Sequence, residues 1–260
     1  MNRTGAFGLG PQTQQTPETP IFPEKQYSIV DFGAIGDGFT MNTEGVNLAI
    51  ETCSSEGGGT VHIPPGNPWY SQNGAGLDLD SCRYVEVSDS QFDVGDDAIC
   101  IKSGKDADGR DLGVPCQDIS IRGCVVYHEH GGFVIGSEMS GGVRNVSISD
   151  CLFIGTDLGL RFKSARGRGG VVEKIRIRNI RMTGIPKAAI TFSMFYSHGG
   201  SDQPAAEQVS EKSPIFRDFL IEHVRHRDSR HCGRNVRSGL RSGNGRIANS
   251  NNSGRSSGQQ

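Results

Sequence analysis

Four segments of this chain repeat one pattern of side chains at fixed distances, and that repetition limits the possible folds more than any single motif. They start at Val85, Ile119, Val146 and Ile175. With each start counted as zero, apolar or small residues recur at offsets 0, 2, 5 and 7. The first two sets are Val85, Val87, Ser90, Phe92 and Ile119, Ile121, Cys124, Val126. The next two are Val146, Ile148, Cys151, Phe153 and Ile175, Ile177, Ile180, Met182. A further strand follows in each segment, and each reaches a serine at offset 18: Ser103, Ser137, Ser164 and Ser193. Successive starts lie 34, 27 and 29 residues apart, so the extra residues fall in one later turn.

Two-residue steps put alternate side chains on one face of a strand, and the three-residue step marks a bend. A constant unit with variable loops at one corner describes stacked coils about 4.8 Å apart. The fold class this implies is all-β, a parallel β-helix. Cys124 and Cys151 share offset 5 and should stack inside it as small buried hydrophobes. A fifth copy starts at Phe219 with Ile221 and Val224, then breaks the pattern with His226 at offset 7.

Composition agrees. With 37 glycines, 34% hydrophobic and 7% aromatic residues, the chain suits many short strands and tight turns. Residues 1–24 read as a flexible leader, 25–224 as a single β-helix domain, and 225–260 as a disordered tail. A short capping helix should begin near Thr43, with Val46, Ala49, Ile50 and Cys53 on one face and Gly57–Gly59 ending it. Thr60–Ile63 should then form a strand stopped by Pro64. No apolar run is long enough to span a membrane, and the N-terminus does not read as a signal peptide.

The net charge of −2 conceals an asymmetry. The tail holds eight Arg and one acid, which leaves 19 bases and 28 acids before it. An acidic body argues against nucleic acid as a partner, the basic tail being the one place such binding could reside. The seven cysteines show no paired spacing that would hold zinc and read as core residues; no cofactor is expected.

The same offsets gather polar groups. Asp96, His130 and Asp157 stand at offset 11 of three successive coils, Asp97 at 12, and Arg161 and Lys163 at 15 and 17. Two carboxylates, an imidazole and two cations should therefore meet on one lateral face. Hydrolysis of a glycosidic bond needs one protonated carboxyl for the leaving oxygen and one ionised carboxyl to activate water. Adjacent aspartates can divide these tasks, since like charges held close push one pKa up. A neighbouring cation pair suits a sugar that carries its own carboxylate.

Gly95-Asp96-Asp97, His130-Gly131 and Arg161-Phe162-Lys163 occur in the order of the Asp-Asp, Gly-His-Gly and Arg-Ile-Lys motifs of the polygalacturonases, and over residues 27–196 the chain resembles that family. The opening, Asp31 to Gly38 and then Gly57 to Gly66, is similar to the start of many pectin-active β-helices. The resemblance implies a right-handed parallel β-helix and inverting hydrolysis of α-1,4-linked galacturonic acid without a metal. It implies a secreted or periplasmic location and an anionic polysaccharide, galacturonan or pectin, as partner. By the same resemblance Asp96 is the general acid, Asp97 a base that holds the water, and His130 tunes the acid. Arg161 and Lys163 would bind the substrate carboxylate, with Asn73 as a further substrate contact.

The chain departs from the family in three places. Glu129 stands where Gly is usual. The Asn-Thr-Asp motif should fall at Asn73-Gly74-Ala75, so Ala75 replaces an aspartate and, counted back from Ser81 as an offset-18 serine, lines up with Asp97. Ile63-Pro64-Pro65-Gly66 also runs almost directly into Asn67-Pro68-Trp69-Tyr70, where the family interposes several coils. Weak or absent activity is therefore expected. A non-catalytic polysaccharide-binding β-helix and a calcium-dependent lyase of pectate are the alternatives.

Overall fold

The computed structural model describes residues 23–64, 74–196, 208–227 and 240–241. Asn73, most of the leader and most of the tail lie outside the described residues.

The repeat is a stack of coils, four of which contribute a strand to each of three sheets among the described residues. In the first sheet Val85, Ile119, Val146, Ile175 and Phe219 are direct neighbours along one ladder, as are Val87, Ile121, Ile148, Ile177 and Ile221. The second sheet aligns Phe92, Val126, Phe153, Met182 and His226. All these pairings are parallel, as expected, and most of the aligned side chains from the second coil onward are buried. The strand Arg225–Arg227 carries the second sheet three residues past the boundary expected at 224. His226 occupies the interior column there, half-buried, with Nε2 unpartnered among the described residues.

The bends have a local cause. At offset 4 the chain carries Asp89, Gly123, Asp150, Asn179 and His223, every one with positive φ. One residue before each start it carries Tyr84, Asp118, Asn145, Lys174 and Asp218, with φ between 55 and 58°. Asn, Asp and Gly visit this left-handed region at low cost and fill seven of these ten positions, Tyr84, Lys174 and His223 being the exceptions. Asn179 Nδ2 donates to Asp150 of the previous coil at 2.9 Å, linking two such turns.

The third sheet carries the strands Leu77–Asp80, Asp97–Lys102, Gly131–Ile135, Leu158–Lys163 and Ala188–Ser193. The 34-residue interval between the first two starts holds a helix at Asp106–Leu112, inserted just after Ser103. The serine column is corrected at its end. Lys163, not Ser164, pairs with Ser193. Six residues separate Met182 from Ala188, whereas five separate their partners Phe153 and Leu158, so the extra residue in that turn shifts the register by one.

The N-terminal region stands apart. Among the described residues the strands Gln26–Ser28 and Thr60–His62 pair only with each other, and Ile29, Ala34 and Ala49 form a second, small core. The single domain expected over 25–224 thus contains two cores among the described residues. The helix runs Thr43–Ser55 and buries Gly45, Ala49 and Cys53, but Ile50 is 50% exposed. The helix is narrower in its contact than predicted because it covers a two-stranded sheet, so a side chain one position round from Ala49 finds nothing to pack on.

Candidate active site

The third sheet positions the site. Asp97 opens the second strand of that sheet and pairs with Gly131, which pairs in turn with Leu158. Arg161 and Lys163 lie further along the Leu158 strand. The backbone follows the same ladder at the preceding turn: His130 N–H donates to Asp96 O at 3.1 Å, and Leu158 N–H donates to His130 O at 3.2 Å. Asp96, Asp97, His130, Arg161 and Lys163 therefore come together from three adjacent coils. The pairing of Leu77 with Ile99 places Ala75 beside Asp97 in the coil before, and Gly76 N–H donates to Asp97 O at 3.0 Å.

The two aspartates have separate partners. Asp96 Oδ1 accepts the Asp97 N–H at 2.8 Å and lies 3.2 Å from His130 Nδ1. Asp97 is only 4% exposed; its Oδ2 accepts from Lys163 Nζ at 2.7 Å and its Oδ1 from Arg161 at 3.4 Å. Asp97 therefore sits in a cationic setting, while Asp96 and the half-exposed His130 face solvent. The two cations also differ. The Lys163 side chain is 9% exposed against 22% for Arg161. Lys163, expected with Arg161 to bind the substrate carboxylate, is covered by Asp97 and by the ring of Tyr196, 4.9 Å from its Nζ.

Tyr196 was missed because no offset predicts it. It arrives from the chain after the last strand of the third sheet, its N–H donating to Ser164 O at 3.1 Å, and its ring also faces the Arg161 guanidinium at 5.7 Å. Such contacts stabilise by about 0.5–2 kcal/mol each. Lys102 was missed as well, although it shares offset 17 with Lys163 two coils away. It lies in the same line of the sheet and pairs with Asp78 at 2.8 Å. Asp157, third in the offset-11 column, is held by Lys187 at 2.6 Å.

Ala75, Asp96, Asp97, Lys102, Lys163 and Tyr196 line an open pocket of about 180 Å³. Cys100 is at its floor. Burial, and after it the Asp97 charge, hold this thiol far above its ordinary range, so it fills space and is no nucleophile. Behind the aspartates, Glu129 is 1% exposed, and burial pushes its carboxyl up to about 7. Six cysteines are unbridged among the described residues, Cys124 and Cys151 among them as buried neighbours. No cluster of three or more His, Cys, Asp or Glu side chains suited to a metal ion occurs among the described residues. Among them, too, no helix is long and apolar enough to cross a membrane.

Residues 38–219 match the family Glycosyl hydrolases family 28. The chain is 32% identical over 159 residues to a probable polygalacturonase of Vitis vinifera, covering 60% of this chain and 32% of that protein. It is 32% identical over 148 residues to an endo-polygalacturonase of Pectobacterium carotovorum subsp. carotovorum, 56% of this chain and 34% of that one. A hyperthermoactive exopolygalacturonase from Thermotoga maritima superposes with a TM-score of 0.51 at 32% identity, covering 64% of this chain and 35% of that structure. The family 28 exopolygalacturonase of Yersinia enterocolitica, at 22% identity and a TM-score of 0.53, agrees in fold. The chain spans about a third of the length of the curated relatives it matches. By the match over residues 38–219, with the β-helix as its fold, the chain belongs to glycosyl hydrolase family 28.

Proposed function

We propose that this chain binds α-1,4-linked galacturonan and carries an impaired version of the inverting hydrolytic site, the substrate being pectin or its oligogalacturonides. The observation that carries the reading is the meeting of Asp96, Asp97, His130, Arg161 and Lys163 on one sheet, with Ala75 beside Asp97. Asp96, hydrogen-bonded to His130 at the solvent edge, is the general acid that protonates the leaving oxygen. Asp97, paired with two cations at contact distance, is the group that orients the attacking water. Arg161 is the better exposed cation and takes the sugar carboxylate, whereas Lys163 mainly fixes Asp97.

Inversion requires a water held opposite the leaving group, by carboxyls about 6.5–9.5 Å from the acid. Ala75 offers a methyl group where a second acceptor would complete that grip. Binding should therefore outlast turnover, which favours a polysaccharide-binding role as the second reading. Such a protein acts where pectin is, so a secreted or periplasmic location belongs to the proposal.

Titration calorimetry with tri- to hexagalacturonate, paired with a reducing-end assay on polygalacturonate, tests this. Binding with few or no new reducing ends is expected. Calcium-dependent release of unsaturated, UV-absorbing products would favour the lyase alternative, and no binding at any pH would overturn the proposal.

A further inference from the structure

Glu129 stands out as a buried acid that the proposed chemistry does not use. We infer that it is a positioning residue, gripping the turn that carries Asp96 and Asp97 from inside the coil and setting the charge that those two aspartates experience. The inference rests on the galacturonan-binding reading for its functional part only.

The geometry is a two-point clamp. Glu129 Oε1 accepts the backbone N–H of Val94 in a short hydrogen bond. The next residue, His130, donates its own N–H to Asp96 O at 3.1 Å and brings its ring to Asp96 Oδ1 at 3.2 Å. Residues 129 and 130 thus hold both ends of the segment Val94–Asp96. The carbonyl of Glu129 accepts from Asp157 N–H at 2.7 Å, which anchors the clamp to the following coil. Glycine at 129 could supply the carbonyl but not the grip on Val94.

The second oxygen is unsatisfied. Glu129 Oε2 is buried without a hydrogen-bond partner among the described residues, and so is the Thr156 hydroxyl at the same place one coil on. A buried carboxylate oxygen with no donor is costly, and a neutral acid group is the cheaper occupant. The charges around it act in the same direction. Asp93, Asp96 and Asp97 face it from the coil before; His128 lies 3.6 Å from Asp93 and His130 lies against Asp96. On the following coil Asp157 is paired with Lys187. Burial first, and these acids after it, raise the Glu129 carboxyl to about 7, against the opposing Val94 N–H. Its ionisation in the neutral range would place a fresh negative charge behind Asp96 and Asp97, and the pocket would repel a polyanion more strongly.

The sign for stability follows from linkage. A carboxyl whose folded pKa lies above its unfolded value of about 4.3 contributes stability that is fully present below that value and is lost as pH rises through about 7. The test compares the full chain with Glu129→Gln, which keeps the acceptor for Val94 and cannot ionise, and with Glu129→Gly, which loses both. Unfolding midpoints in urea at pH 5 and pH 8 should show the wild type losing stability relative to Glu129→Gln as pH rises. Trigalacturonate affinity at pH 8 should be about 3–10-fold higher in Glu129→Gln than in the wild type, equivalent to roughly half to one unit of coupling, with little difference at pH 5. Glu129→Gly should bind more weakly than Glu129→Gln at both pH values. Parallel pH profiles of wild type and Glu129→Gln, in stability and in binding alike, would overturn the inference. If neither variant nor wild type binds trigalacturonate, the pH-dependent stability gap still decides whether Glu129 titrates as argued, and the failure falls on the galacturonan reading instead.

Discussion

At the scale of single residues, the site divides labour between groups that look equivalent in the sequence. Arg161 and Lys163 flank Phe162 and share one face, but Lys163 is committed to Asp97 at 2.7 Å while Arg161 remains partly open. Their substitutions should therefore differ in kind. Arg161→Gln should weaken oligogalacturonate binding by about 1.5–3 kcal/mol, the range for a hydrogen bond to a charged group. Lys163→Met should instead leave Asp97 buried without its nearest counter-charge. A broken buried pair typically costs about 3–5 kcal/mol, so urea unfolding should register Lys163→Met far more strongly than Arg161→Gln. Equal losses of stability would contradict this assignment.

Ala75 is the other residue-scale test. Ala75→Asp restores an acceptor beside Asp97 and should raise the release of reducing ends, by up to the ~10²–10⁴-fold that general-base help contributes. Affinity should fall modestly, because a carboxylate is added to a pocket that takes a polyanion while Arg161 is untouched. Asp96→Asn in that background should abolish the gain. If the unmodified chain already turns over at a rate Ala75→Asp cannot improve, the role given to position 75 is wrong.

At the scale of elements, the periodic part of the fold was legible and the aperiodic part was not. Offsets 0, 2, 5 and 7 reappear as columns because every coil repeats its left-handed turn at offset 4, so sequence spacing and spatial register coincide. They separate at Ser193, where one added residue in the preceding turn breaks the count. The exposure of Ile50 escaped because the apolar spacing of a helix does not report the width of the surface it covers. Tyr196 escaped because it reaches the cations from beyond the repeat. The burial of Lys163 depends on that same residue, so a sequence count that finds the lysine cannot tell that it is covered.

A further column at offset 13 was visible but unread: Gly76, Ala98, Gly132 and Gly159, with Ala189 next in register. Its smallness makes room for the large offset-7 column opposite. A Cβ on Gly132 would stand 2.6 Å from the Phe153 ring, and one on Gly76 would stand 2.7 Å from Phe92. Gly132→Ala should therefore cost about 1–3 kcal/mol by overpacking, read from the denaturant midpoint, and Phe153→Leu in the same chain should recover part of the loss. Since Gly132 follows the residue paired with Asp97, the single variant should also weaken oligogalacturonate binding. Additive effects of the two substitutions would show that the columns do not share space.

At the scale of the whole molecule, a β-helix is stable because each coil covers its neighbours, so its weak points are its ends. Among the described residues, Leu77–Asp80, Arg83–Ser88 and Gln91–Asp93 each pair on one side only. Their other sides present backbone donors and acceptors in three parallel rows, with Tyr84 55% exposed nearby. The two strands beside the Ala49 core do not extend these rows, since among the described residues they pair only with each other. Unpaired edges of this kind template association. Sedimentation velocity should therefore show an average mass that rises with protein concentration over the micromolar range. Gln91→Lys places a charge on the exposed edge strand of the second sheet, a common natural guard against edge pairing, and lies on a different sheet from Asp97. It should lower the association without altering oligogalacturonate affinity. A monomer at all concentrations, or association indifferent to Gln91→Lys and to an equivalent lysine at Tyr84, would show that these edges are covered by other parts of the chain.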